Sequence, residues 1–212
     1  TGTGKTEFAF DVIRHAVGAG VRVLCIDLTA QYGQRLGDLR IEALSVSERQ
    51  EEHLSKNFRA IETGEYGGFK EKAAFDQFAS PIEAEVATRL GNFIASSESD
   101  LGLLELTAVS NTKATLWITE QYLRSLLELG RSGRLERPVL VVVEEAHTVM
   151  PEMNFVGDGS YDTRGTIARI SQIALQGRKY GIGLLVIAQR TATVSKSVLT
   201  QCNTVISFSC MD

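Results

Sequence analysis

The sequence predicts an α/β fold: a mainly parallel central sheet flanked by helices, carrying a helical insertion. Three observations predict it. The chain opens Thr1-Gly2-Thr3-Gly4-Lys5-Thr6, the back end of a phosphate-binding loop of the form G-x-x-x-x-G-K-[ST], and runs straight into a helical apolar pattern. Apolar runs near 21–26, 139–143 and 182–188 are each preceded by a helical pattern. Two adjacent carboxylates, Glu144 and Glu145, follow the second run at its carboxyl end, where open parallel sheets collect their ligands.

The opening loop has a direct physical logic. Glycines let the backbone curl so that successive N–H groups face one phosphate, and the helix that follows adds its positive end. In that pattern Thr1, Gly2, Thr3 and Gly4 form the cradle, Lys5 reaches the β- and γ-phosphates, and the Thr6 hydroxyl binds Mg2+. The opening glycine of the pattern falls ahead of Thr1. Ala9, Val12, Ile13, Ala16 and Val17 recur at helical spacing, and Gly18 and Gly20 stop the helix. Val21 to Ile26 then reads as a buried strand ending at Asp27.

Residues 1–33 and 137–212 read as the core, and residues 34–136 as a charge-rich, mainly helical insertion without strand signals. Within the insertion, Leu116, Trp117, Tyr122, Leu123, Leu126 and Leu127 mark an amphipathic helix closed by Gly130, and Ser96 to Asp100 reads as an exposed loop. A helix near 164–176 and strands at 182–188 and 204–208 complete the core.

The continuously apolar run Val139 to Val143 suits a strand covered on both faces. At its end Glu144 is placed to hold the metal shell, through water, and Glu145 to orient and polarise an attacking water. Gln189 ends the next strand, where a neutral amide can sense the γ-phosphate. His147 either couples that phosphate to another site or bonds within its own loop. Arg178, in Gly177-Arg178-Lys179-Tyr180-Gly181, has two readings of equal weight: a basic surface turn, or a cation entering a neighbouring subunit's site.

Composition narrows the class without deciding it. A formal net charge of −4 gives no overall basic field, so contact with nucleic acid requires a local basic patch. Cys25, Cys202 and Cys210 lack metal-ligand spacing and read as buried thiols of a reducing, cytoplasmic setting. No apolar run is long enough for a membrane span, and no signal peptide is visible.

Together these segments resemble the HerA-type branch of the HerA/FtsK superfamily, hexameric P-loop motor ATPases of RecA-like fold that move double-stranded DNA. The resemblance rests on residues 1–6, 23–33, 141–152 and 177–190, with 201–208 resembling the family's last core strand. It implies ATP and Mg2+ as cofactors, held by Lys5, Thr6 and Glu144, with Glu145 as catalytic base, Gln189 as sensor and Arg178 as a finger acting in trans. Asp27 matches the family's acidic residue near the nucleotide. Gln31 stands where the family often has glutamate, so that glutamate's role has no carrier here. The implied protein is a homo-oligomeric ring, a hexamer, working on double-stranded DNA with a nuclease or other defence or repair effector. Arg190 and Lys196 are weak candidates for pore contacts. Two other readings stand beside it: a nucleotide-gated assembly platform for an effector, and a conjugation or secretion traffic ATPase.

Overall fold

The computed structural model describes residues 4–62, 69–107, 109, 111–152 and 163–208. Helix α1 (Lys5–Gly18) leads by a short turn into β1 (Arg22–Asp27), and α2 (Tyr32–Arg35) precedes β2 (Ile41–Ala43). Helices α3 (Glu48–Glu62) and α4 (Phe69–Ala95) lead to β3 (Leu101–Glu105), then α5 (Thr112–Arg131) to β4 (Val139–Val143). Helix α6 (Thr163–Gln176) and a 3-10 turn at Gly177–Tyr180 lead to β5 (Ile182–Val186), and α7 (Lys196–Leu199) follows.

The five strands form one sheet in the order β2-β3-β1-β4-β5, with every neighbouring pair parallel. Alternate residues of β1 serve opposite faces. Leu24 and Ile26 enter a core with α3 to α6, whereas Val23 and Cys25 enter a second core with Phe10 and Ile13 of α1. This three-layer arrangement is the fold the sequence predicts. Burial on both faces explains why β1 is apolar through its interior, and it pushes the Cys25 thiol's pKa well up.

Three expectations need correction. Residues 34–136 are not strandless: they supply β2 and β3, and β3 stands beside β1 in the middle of the sheet. Residues 204–208 form no strand among the described residues; Val205 and Ile206 are 77% and 54% exposed, so this apolar stretch answers to no sheet neighbour. Helix α5 runs past Gly130 to Arg131. Gly130 is small because a Cβ there would lie 2.8 Å from Tyr180 Cβ, so it seats the 177–180 turn against the helix rather than ending it. The Ser96–Asp100 loop is exposed at its centre, while Ser99 is buried.

That buried serine belongs to a clamp at the amino edge of the sheet. Arg22, 4% exposed, donates from Nη1 to the carbonyls of Phe93 and Ser99 and from Nη2 to that of Ser96, with its guanidinium 5.1 Å from the Phe93 ring centre. One cation thus gathers a carbonyl from the last turn of α4 and two from the loop that follows it. A polar cavity of about 350 Å³ opens beside it, lined by Arg22, Ser96, Glu136 and Arg137. It lies at the opposite edge of the sheet from Glu144. Replacing Arg22 by Met keeps the aliphatic stem but leaves buried carbonyls unpaired. It should cost about 3 kcal/mol in urea unfolding.

Candidate functional site

Short connections decide what meets at the carboxyl edge. Because α1 ends only a few residues before β1 begins, it runs back antiparallel to β1, and its first turn sits where β1 ends. Gly4, the residue before the helix, has φ +79°, a left-handed conformation that glycine adopts without a Cβ clash. Lys5 and Thr6 open the helix and are half-buried. Thr1, Gly2 and Thr3 lie outside the described residues.

The acids arrive on adjacent strands. Ile26 pairs with Val143, so Asp27 and Glu144 are the next residues on neighbouring strands, and the Glu144 amide donates to the Ile26 carbonyl at 3.3 Å. Asp27 is fully buried. One carboxylate oxygen accepts from the Thr29 amide at 2.7 Å and the Thr29 hydroxyl at 2.8 Å; the other accepts from the Tyr32 amide at 3.0 Å. Asp27 is therefore the organiser of the 28–32 turn, which holds Ala30 at φ +57°.

That turn brings in a residue that sequence reasoning assigned no role. Tyr32 is fully buried, its ring packs edge-to-face on Phe10 of α1 at 5.0 Å, and its hydroxyl donates to Oε2 of Glu144. Burial and the neighbouring Glu144 push the phenol's pKa far up, so it stays a donor. No periodic signal marks Tyr32; the one clue in the sequence is its place a few residues after a strand-ending aspartate.

Glu144 is 5% exposed. Burial raises its pKa above the ordinary carboxylate range; the Tyr32 hydroxyl opposes this, Glu145 and Asp27 add to it, and Lys5 opposes it. A buried carboxylate crowded by two others is the environment a divalent cation relieves. With the Thr6 hydroxyl it offers the hard oxygen donors that suit Mg2+ beside phosphates. Among the described residues no three His, Cys, Asp or Glu side chains group as a metal cage. The donor set therefore fits a nucleotide-bound Mg2+, which takes few protein ligands.

Glu145 has φ +46°, rare for a residue with a Cβ and costing on the order of 1–3 kcal/mol. The conformation is held from both sides. Ala146 N donates to the Ile187 carbonyl at 3.0 Å, and Thr148 N to the Glu145 carbonyl at 2.8 Å. The resulting sharp turn brings Oε1 of Glu145 to Nε2 of Gln189 at 2.9 Å. Oε2 of Glu145 stands 3.2 Å from Nδ1 of His147, close enough for an ion pair if the ring is protonated. The two atoms are not aligned for a hydrogen bond, and both are buried without another such partner. The His147 contact is thus a close approach without a hydrogen bond, whereas the Gln189 bond is formed.

Of the residues singled out in sequence, the carboxyl edge thus collects Gly4, Lys5, Thr6, Asp27, Glu144, Glu145 and Gln189. Arg178 is not among them. Its turn immediately precedes β5, with the Gly181 carbonyl accepting from Val139 N at 3.0 Å, so it lies exposed at the amino edge. Arg190, just past Gln189, is exposed at the carboxyl edge, and Lys196 opens α7. Cys202 is half-buried, and Cys210 lies outside the described residues.

No family model matches the chain. Among curated proteins it is 29% identical over 115 residues to a probable helicase of Methanocaldococcus jannaschii, covering 54% of this chain and 20% of that protein. It is 32% identical over 90 residues to the DNA double-strand break repair helicase HerA of Sulfurisphaera tokodaii, covering 40% of this chain and 17% of that one. It is 27% identical over 147 residues to the HerA helicase of Sulfolobus acidocaldarius, covering 62% and 28%. The chain thus spans less than a third of the length of these relatives. Its fold is similar to that of the genome-packaging NTPase of Sulfolobus turreted icosahedral virus 2, solved with ATP-gammaS (TM-score 0.50, 11% identity, 96% of this chain and 67% of that one). Among the described residues no helix is long and apolar enough to cross a membrane.

The buried acid gives a signed pH prediction. A carboxyl whose pKa is raised on folding contributes stability that is present below its ordinary value, 4.5, and lost as pH rises through the raised value. Glu144→Gln removes that loss. Without metal or nucleotide it should melt at a higher temperature than the parent at neutral pH, and the difference should close as pH falls below 4.5.

Proposed function

We propose that this chain is a HerA-type P-loop ATPase, the motor core of an ATP-driven ring that translocates or unwinds double-stranded DNA. One observation carries the reading. The parallel sheet brings Gly4-Lys5-Thr6, the buried acid Glu144 and the hydrogen-bonded pair Glu145–Gln189 to the same edge. That is the set phosphoryl transfer to water requires: a phosphate cradle with a cation, a metal-binding acid, a base and a neutral sensor. The helicase and break-repair names of the relatives support DNA as the track.

In this reading Lys5 binds the β- and γ-phosphates of ATP, and Thr6 and Glu144 hold Mg2+, which neutralises phosphate charge when bound. Glu145 accepts a proton from the attacking water and aligns it with the γ-phosphorus. Gln189 holds Oε1 of Glu145, so a γ-phosphate that draws the Gln189 amide away releases the base to bind water. Asp27 acts at one remove, by fixing the turn. Arg178 cannot serve the site of its own chain, because the length of β5 separates them. It serves a neighbour's site, stabilising charge on the transferring phosphoryl group. Such a ring is built by head-to-tail contacts that close, and a hexamer partnered by a nuclease or other effector is its expected assembly.

Lys5→Ala should abolish measurable ATP turnover in a phosphate-release assay; retained turnover would remove the phosphate site from the account. Glu145→Gln should lower turnover by about 10²–10⁴-fold while leaving ATP binding and assembly intact. If it also leaves effector function and movement on DNA intact, the chain is a nucleotide-gated platform rather than a motor. Arg178→Ala should lower turnover too, and mixing it with Glu145→Gln subunits should restore part of it, because each variant completes the other's site. Mixtures no more active than their components would return Arg178 to a surface turn.

A further inference from the structure

Tyr32 is, among the described residues, the fully buried side chain at the carboxyl edge whose hydrogen bond ends on Glu144, the acid proposed to hold the metal. Its environment fixes every part of it. The backbone amide is held by Asp27 at 3.0 Å, the ring by Phe10 at 5.0 Å, and the hydroxyl by Oε2 of Glu144. Phe10 is itself covered by the Arg35 guanidinium, 5.3 Å from its ring centre, and Arg35 pairs with Glu7 of α1. The helix that opens on Lys5 and Thr6 is thus tied through one aromatic pair to the acid on β4.

We infer that Tyr32 is the positioning residue of the metal site: its hydroxyl takes Oε2 of Glu144, fixing the carboxylate and leaving Oε1 as the oxygen for the Mg2+ shell. The inference rests on the nucleotide site proposed above. Its chemistry follows from donor geometry. A glutamate has several rotatable bonds, and a buried carboxylate with no fixed partner would sample orientations in which neither oxygen faces the cation. A neutral hydroxyl donor removes that freedom without adding charge to a site already crowded by Asp27 and Glu145. Groups that orient a metal ligand from behind typically change metal affinity by about 10–100-fold when removed. Tyr32 does not touch nucleotide in this scheme; it acts through Glu144.

The test is a Mg2+ titration of binding of a fluorescent, non-hydrolysable ATP analogue, run alongside the same binding in excess chelator. Tyr32→Phe removes one oxygen and keeps the ring on Phe10. It should raise the half-saturating Mg2+ concentration about tenfold and leave the metal-free affinity unchanged. Glu144→Asp, which withdraws the carboxylate from the hydroxyl by one methylene, should show a deficit of the same kind. Tyr32→Phe added to it should make it no worse. Multiplying losses in the double variant, or a Tyr32→Phe titration superimposable on the parent's, would overturn the inference. So would an equal loss of affinity with and without metal, which marks a general loosening of the loop. If the unmutated protein binds no analogue, or binds it without regard to Mg2+, the nucleotide site falls and this inference with it.

Discussion

All five strands of this sheet run the same way, and most of the chemistry follows from that single constraint. A parallel sheet has one edge where every strand ends and another where every strand begins. Asp27 ends β1, Glu144 and Gln189 follow the ends of β4 and β5, and the helix opening on Lys5 returns to the same edge because its link to β1 is short. The cations of the 177–180 turn precede β5 and are confined to the other edge. No side-chain rearrangement brings the two sets together within one chain. In the proposed function the two edges are therefore completed by neighbouring subunits, each offering one half of a site.

Within the carboxyl edge, the burial of negative charge is the force that the local structure answers. Three acids stand close together, and each is managed differently. Asp27 is saturated by the turn it organises, Glu144 is steadied by Tyr32, and Glu145 is turned away by a strained backbone and held by Gln189. The strain at Glu145 and the buried, unaligned atoms of Glu145 and His147 sit where the proposed reaction would need groups ready to move. The saturated bonds of Asp27 sit where the frame must hold still.

The sequence was most legible where local pattern and tertiary demand agreed. β4 occupies the predicted residues 139–143, because a strand buried on both faces is apolar throughout, and the acids at its end needed only the parallel-sheet rule to be placed. β3 was missed although Leu101 to Leu104 are buried, because it is set between long helices whose composition dominates the region. β2, with only three residues, carries no period to read. The opposite error occurred at 204–208, where a β-branched apolar stretch without a sheet neighbour imitated a strand. Tyr32 lies within the 23–33 segment, and nothing in the pattern there marks its task. Its meaning lies in a bond to a residue more than a hundred positions away, and no one-dimensional pattern records that.

The division of the site between two edges is the claim most open to direct measurement. ATP turnover per subunit should be followed across a range of protein concentrations, with the oligomeric state monitored in the same samples. If the site is completed by a neighbour's Arg178, specific activity rises as subunits associate and falls toward zero in the dilute monomer. Turnover per subunit that stays constant from monomer to assembly would show that one carboxyl edge suffices, and would contradict the account.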